Sequence, residues 1–132
     1  MERNKKSLIY LDTHIVCWLY EGKIEKLSLS AIEAVESALP FVSPMVDLEL
    51  QYLYEIKRLK KGPQEVLSTL AEDIGLRISE TSFAKIVVEA RSIAWTRDPF
   101  DRLITAEVLI TPNAYIVTKD ETIRKHCEKV IW

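Results

Sequence analysis

Short apolar runs alternate with longer amphipathic stretches along the whole chain. Residues 8–11 (Leu-Ile-Tyr-Leu) fit a short buried strand, and residues 13–20 a helix directly after it. A loop through residues 22–29 follows. Ser30 with Glu33 forms a Ser-x-x-Glu capping box, which predicts a helix to about Leu39, stopped by Pro40. Residues 41–43 read as a second strand. Pro44 suits a first helical position, and the helical pattern continues to about Lys61. Gly62-Pro63 breaks it and starts a helix over residues 64–74, closed by Gly75. The remaining pattern predicts strand 76–78, helix 82–94, a helix opened by Asp98-Pro99 and running to Ile110, strand 114–117, helix 121–127 and a last strand at 130–131.

Strands alternating with helices predict an α/β fold built on a mainly parallel sheet. No repeat or low-complexity stretch interrupts it, and 132 residues make one domain, residues 1–132. Open sheets of this kind bind ligands at the carboxyl ends of their strands. That rule gives a place to look for chemistry.

Composition narrows the class. Hydrophobic residues at 48 % supply a core, and 29 % charged residues point to a soluble globular chain. No apolar run approaches the ~18 residues of a membrane helix. The polar, basic lead Met1 to Lys6 runs into too short an apolar stretch for a signal peptide, so a cytoplasmic protein is expected. Cys17 and Cys127 lack metal or redox spacing and read as buried thiols. A net charge of −2 does not mark a nucleic-acid binder, although local patches can act independently of it. Lys57, Arg58, Lys60 and Lys61 form one basic cluster, and Lys119, Arg124 and Lys125 another. Each is a solvated face or a seat for a phosphate backbone.

Four acids stand out. Asp12 sits between the first strand and first helix, where it serves as an N-cap or lines a strand-end site. Glu49 falls on the inward side of its helix with Met45, Val46, Tyr52 and Leu53, while Asp47, Gln51, Glu55 and Arg58 share the outer side. An inward carboxylate needs a buried Arg or Lys, or a bound cation. Asp98 fits the N-cap of the late helix and Asp101 its third position, at the edge of a helix that is apolar almost all round. Asp120 follows the strand at 114–117, where Thr118 and Glu121 make a second capping box and Asp120 reads as a first-turn acid. His14 alone reads as packed or solvated.

Jointly these acids share a position on one rim of a parallel sheet. At ~5 Å and an effective dielectric of about 20, each carboxylate pair repels by about 3 kcal/mol. Several such pairs would cancel much of a small domain's stability of roughly 5–15 kcal/mol. Protonation or a divalent cation must relieve them. An all-oxygen set favours a hard ion, Mg²⁺ or Mn²⁺, and phosphodiester hydrolysis is chemistry such ions support.

The motifs resemble those of the PIN-domain nucleases, and within them the VapC-like toxins. Leu11-Asp12-Thr13-His14 looks like the opening motif and Ser43-Pro44-Met45-Val46-Asp47-Leu48-Glu49 like the second. Arg97-Asp98-Pro99-Phe100-Asp101-Arg102-Leu103 is the most specific match, and Thr118-Lys119-Asp120 looks like the last. The resemblance implies a five-stranded parallel sheet flanked by helices and a Mg²⁺- or Mn²⁺-dependent endoribonuclease. Its acidic site would be Asp12, Glu49, Asp101 and Asp120. Asp12 and Asp101 would be direct ligands, and Glu49 and Asp120 would serve a second ion or its waters. Thr13 and Thr118 would support them. The resemblance also implies an RNA substrate, a homodimer and a small cognate antitoxin. RNA backbone contacts are expected from some of Lys57, Arg58, Lys60, Lys61 and Lys119. Asp98 matches a motif position but still reads as a helix cap, and Asp47 is an extra acid facing outward.

Other readings compete. A dehalogenase-like phosphatase needs a second Asp two residues after the first, where His14 stands. A receiver domain needs an acidic pair before its acceptor Asp, and none is present. A catalytically silent PIN-like scaffold for RNA or protein is compatible with the fold but leaves the four acids without a purpose.

Overall fold

The computed structural model describes residues 6–132; the rest of the polar lead, residues 1–5, lies outside the described residues. Strands β1 (Leu8–Leu11), β2 (Leu39–Val42), β3 (Arg77–Ile78), β4 (Ala114–Val117) and β5 (Val130–Ile131) form one sheet in the order β3-β2-β1-β4-β5. All four pairings are parallel. The helices are α1 (Thr13–Glu21), α2 (Leu29–Ser37), α3 (Pro44–Glu55), α4 (Pro63–Ile74), α5 (Phe83–Ala90), α6 (Pro99–Ile110) and α7 (Glu121–His126), with a 3-10 turn at Ile24–Lys26. The expected parallel α/β architecture is therefore present.

Strand order explains where a site can form. The chain builds outward from β1 through β2 to β3, then returns to place β4 on the other side of β1. Connections leave the ends of β1 and β4 in different directions, which opens a crevice there. Asp12 N donates to Val117 O at 3.1 Å, so β1 and β4 stay in register up to the rim. Ile9, Leu11, Ile116 and Val117 are fully buried, as central strands covered on both faces require.

Several boundaries differ from the sequence pattern, each for a local reason. Helix α2 is capped by Ser28, whose Oγ accepts from Ala31 N at 3.1 Å, and not by Ser30. Leu27 before that cap and Ile32 after it both join the core, the arrangement of a hydrophobic staple. Pro40 does not end α2; it lies within β2 opposite Ile9. Leu39 N donates toward β1, so Pro40 faces the other side, where β3 pairs only from Phe41 onward and no N–H is required. Ser43 caps α3 through Met45 N and is not part of the strand.

Helix α3 stops at Glu55, short of Lys61. Lys57 takes a left-handed conformation (φ 65°), Lys57 N donates to Tyr54 O and Arg58 N to Leu53 O. This is a Schellman ending made without glycine, with Leu59 buried just beyond it. Residues 57–61 are consequently a loop. Helix α5 ends at Ala90, and the Arg102 guanidinium donates to the freed carbonyls of Ala90 (3.0 Å) and Arg91 (3.5 Å). That contact ties α5 to the start of α6. Both cysteines are buried and unbonded, and burial pushes the Cys17 thiol up to about 12.

Candidate active site

Asp12 follows β1 and caps α1. Its Oδ1 accepts from Thr13 N at 2.8 Å, and its Oδ2 accepts from Thr118 Oγ1 at 2.6 Å. Capping and membership in an acid cluster are thus both satisfied, at a carboxylate only 8 % exposed. Thr118 is not the cap of α7. Its hydroxyl accepts from Asp120 N at 3.0 Å while donating to Asp12. Asp120 takes the cap, accepting from Ile123 N at 2.9 Å through Oδ1. The capping role passes to Asp120 because Thr118 is fully buried and turned toward β1.

Glu49 sits in the second turn of α3, beside the buried stripe of Val46 and Leu50. Met45 and Leu53 flank it in the core, whereas Tyr52 is exposed. Glu49 Oε1 accepts from Thr13 Oγ1 at 2.6 Å. Thr13 therefore binds Asp12 through its N–H and Glu49 through its hydroxyl. Asp98 caps α6, its Oδ1 accepting from Phe100 N (2.8 Å) and Asp101 N (3.3 Å). Asp101 stands in the first turn above it.

The electrostatics tie these acids together. Burial raises Asp101 to about 7, with further repulsion from Asp98, Asp12, Asp120 and Glu49. Burial also raises Asp12, opposed by the Thr118 and Thr13 hydrogen bonds and reinforced by Asp120. Glu49 is raised by burial, lowered by Thr13, and raised again by Asp12 and Asp98. Asp101 feels Asp12, Glu49, Asp98 and Asp120 together, so the topology brings the ends of β1 and β4 and the helices α3 and α6 to one rim. Among the described residues the ion pair present is Lys23–Glu21 at 3.3 Å, so none of these carboxylates has a Lys or Arg partner. A threonine hydroxyl stands at Glu49 in place of a buried salt bridge.

A hard divalent cation fits this donor set: oxygen-only, partly buried, mutually repelling and without an ion-paired Lys or Arg among the described residues. The cage is not preassembled, since among the described residues no three His, Cys, Asp or Glu side chains converge on a common point. Mg²⁺ keeps several waters and takes few direct protein ligands, so carboxylates spread around a rim suit it. The threonine and helix-cap bonds leave lone pairs on each carboxylate for an ion or its waters.

Of the five candidate RNA-binding cations, Lys119 lines a cleft with Asp12 and Asp120. Lys57 and Lys60 line a different, shallow cleft with Tyr54, Glu55 and Leu59. Arg58 and Lys61 lie exposed in the same loop.

One buried acid was not expected. Glu107 of α6 is fully buried and accepts from Tyr10 Oη at 2.9 Å and from Ser79 Oγ, while its Oε1 has no partner. It lashes α6 to β1 and to the residue after β3. A glutamate inside an otherwise apolar helix was the available signal. Leu109 of the same helix is 38 % exposed, so α6 is less uniformly buried than its composition suggests.

An all-parallel sheet with carboxylates gathered where its strand order reverses defines an α/β domain with an acidic site at its switch point. The PIN domain pattern matches residues 9–129, and the chain belongs to that family. Its fold is similar to a chain in the crystal structure of VapBC2 from Rickettsia felis bound to a DNA fragment from their promoter. That similarity has a TM-score of 0.57 at 20 % identity and covers 89 % of this chain and 92 % of that one. No curated protein matches the sequence. No helix among the described residues is long and apolar enough to cross a membrane.

Proposed function

We propose that residues 1–132 form one Mg²⁺- or Mn²⁺-dependent endoribonuclease domain, the toxin of a toxin–antitoxin pair. The observation that carries this reading is the group Asp12, Glu49, Asp101 and Asp120: carboxylates that repel one another and form no ion pair with a Lys or Arg among the described residues. Asp12 and Asp101 are the direct ligands in this reading, and Glu49 and Asp120 orient water or a second ion. A divalent ion there supplies Lewis acidity, lowering the pKa of water and offsetting charge on phosphoryl oxygens. Thr13 and Thr118 hold Glu49 and Asp12 by hydrogen bonds from their hydroxyls. A carboxylate would take the proton that water gives up as its oxygen bonds to the RNA phosphorus in line, while the opposite bond from phosphorus to a ribose oxygen breaks and that oxygen takes a proton from solvent. Family membership supports the nuclease class, and the four acids together weigh against a silent scaffold.

The likeness to a VapBC2 complex supports a cognate antitoxin as partner. Exposed Leu48 and Tyr52 on α3, with Phe83, Val87 and Val88 on α5, support a homodimer that covers them. A cytoplasmic location follows from the RNA substrate. The test is cleavage of total RNA by purified protein with and without Mn²⁺, using Asp12→Asn as the control. Metal-dependent cleavage absent in the variant is expected; equal cleavage in excess EDTA overturns the reading.

A further inference from the structure

Beside the acids lies a cleft of about 340 Å³, lined by Asp12, His14, Trp18, Lys119, Asp120 and Glu121. His14 and Trp18 occupy one face of α1, four residues apart, with ring centroids 6.2 Å apart and planes tilted by 49°. Two ammonium groups approach the indole: Lys119 Nζ at 6.0 Å from its centroid and Lys26 Nζ at 5.6 Å. They come from separate elements, the 3-10 turn and the loop after β4. Neither is in an ion pair among the described residues. The cleft thus brings carboxylates, an aromatic surface and Lys119 together, with Lys26 approaching the same indole from outside its lining.

An aromatic face flanked by lysines is the chemistry of single-stranded nucleic-acid sites, where bases stack on rings and cations follow the backbone. Amphipathic Trp18 is half-buried, so its inner part is held by the core and the ring is fixed in place. We propose that this cleft seats one unpaired nucleotide of RNA next to the bond to be cut, its base on Trp18 and its phosphates near Lys119 and Lys26. The inference rests on the nuclease reading and adds to it a positioning residue, Trp18, whose ring holds the base. In a duplex both faces of each base are covered by stacked neighbours, so paired RNA is excluded from the cleft.

The test is a fluorescence-anisotropy titration with a labelled single-stranded oligoribonucleotide of mixed sequence, and with the same strand annealed to its complement. EDTA is present so that binding is read without cleavage. Trp18→Leu, which keeps apolar bulk and removes the π-face, is expected to weaken single-strand binding about tenfold. Trp18→Phe is expected to lose less, and Lys119→Gln to lower the salt slope by about 0.7. Thermal melting checks that the variants fold. Should Trp18→Leu unfold the chain, Trp18→Phe and Lys119→Gln carry the test. Wild-type affinity in the folded variants, or a wild-type preference for duplex, overturns the proposal. A chain that binds single strands through Trp18 yet cuts nothing with Mn²⁺ upholds the cleft and defeats the nuclease reading. Cleavage with Mn²⁺ and no effect of Trp18 on binding defeats the cleft alone.

Discussion

The Thr118 hydroxyl donates to Asp12 Oδ2 at 2.6 Å, joining the ends of β4 and β1 across 106 positions of sequence. Both groups are buried, and the bond lowers a carboxyl that burial raises. Thr118→Val keeps the shape and removes the donor. It is expected to cost about 2 kcal/mol of stability in urea denaturation, because a hydrogen bond to a charged group is lost. Mn²⁺ affinity at neutral pH is expected to fall about tenfold in a calorimetric titration, as for other groups that orient a ligand.

Asp101 gives a pH dependence of defined sign. Its carboxyl is raised from 3.8 to about 7 in the folded chain. Between those values the unfolded chain has released a proton that the folded chain retains. Metal-free stability from this group therefore falls as pH rises through that window and levels off above about 7. Asp101→Asn should flatten the slope of melting temperature against pH in EDTA. Divalent ions bind the ionised form, so Mn²⁺ affinity should rise with pH over the same interval.

Glu107 tests the scaffold apart from the chemistry. Glu107→Ala leaves a cavity and strands the buried Tyr10 and Ser79 hydroxyls. A loss of about 3 kcal/mol in chemical denaturation is expected, with Mn²⁺ binding kept in the protein that remains folded. Tyr10→Phe removes one donor only and should cost about 1 kcal/mol.

The candidate RNA cations separate into two groups. Reversing the charge of Lys57, Arg58, Lys60, Lys61 and Lys119 together should weaken RNA binding and flatten its salt dependence. Lys119 lines the cleft at the acids, whereas Lys57 and Lys60 line another. Lys119→Glu alone should therefore account for more of the loss than Lys57→Glu with Lys60→Glu. Salt-dependent titrations of each set measure the split.

The parallel sheet was legible because its strands are short apolar runs separated by helical patterns, and the acids were legible because each sits at a strand end or helix start. Boundaries governed by hydrogen bonds between distant residues were not. Thr118 looked like a cap because Glu121 follows at capping-box spacing, yet its hydroxyl is directed to Asp12, a partner no local pattern reveals. The end of α3 was hidden because Lys57 adopts the left-handed conformation usually given to glycine. Glu107 is masked in sequence by its apolar neighbours, and its partner Tyr10 is 97 positions away. Trp18 and Lys119 become one surface only after β4 is placed beside β1.

Calorimetric titration of Mn²⁺ into the wild-type chain and into Asp12→Asn tests most directly whether the gathered carboxylates hold a metal. Saturable binding in the wild type that disappears in the variant, with RNA cleavage lost alongside it, is the predicted result. Binding of the same strength in both proteins, or none in the wild type, would contradict it.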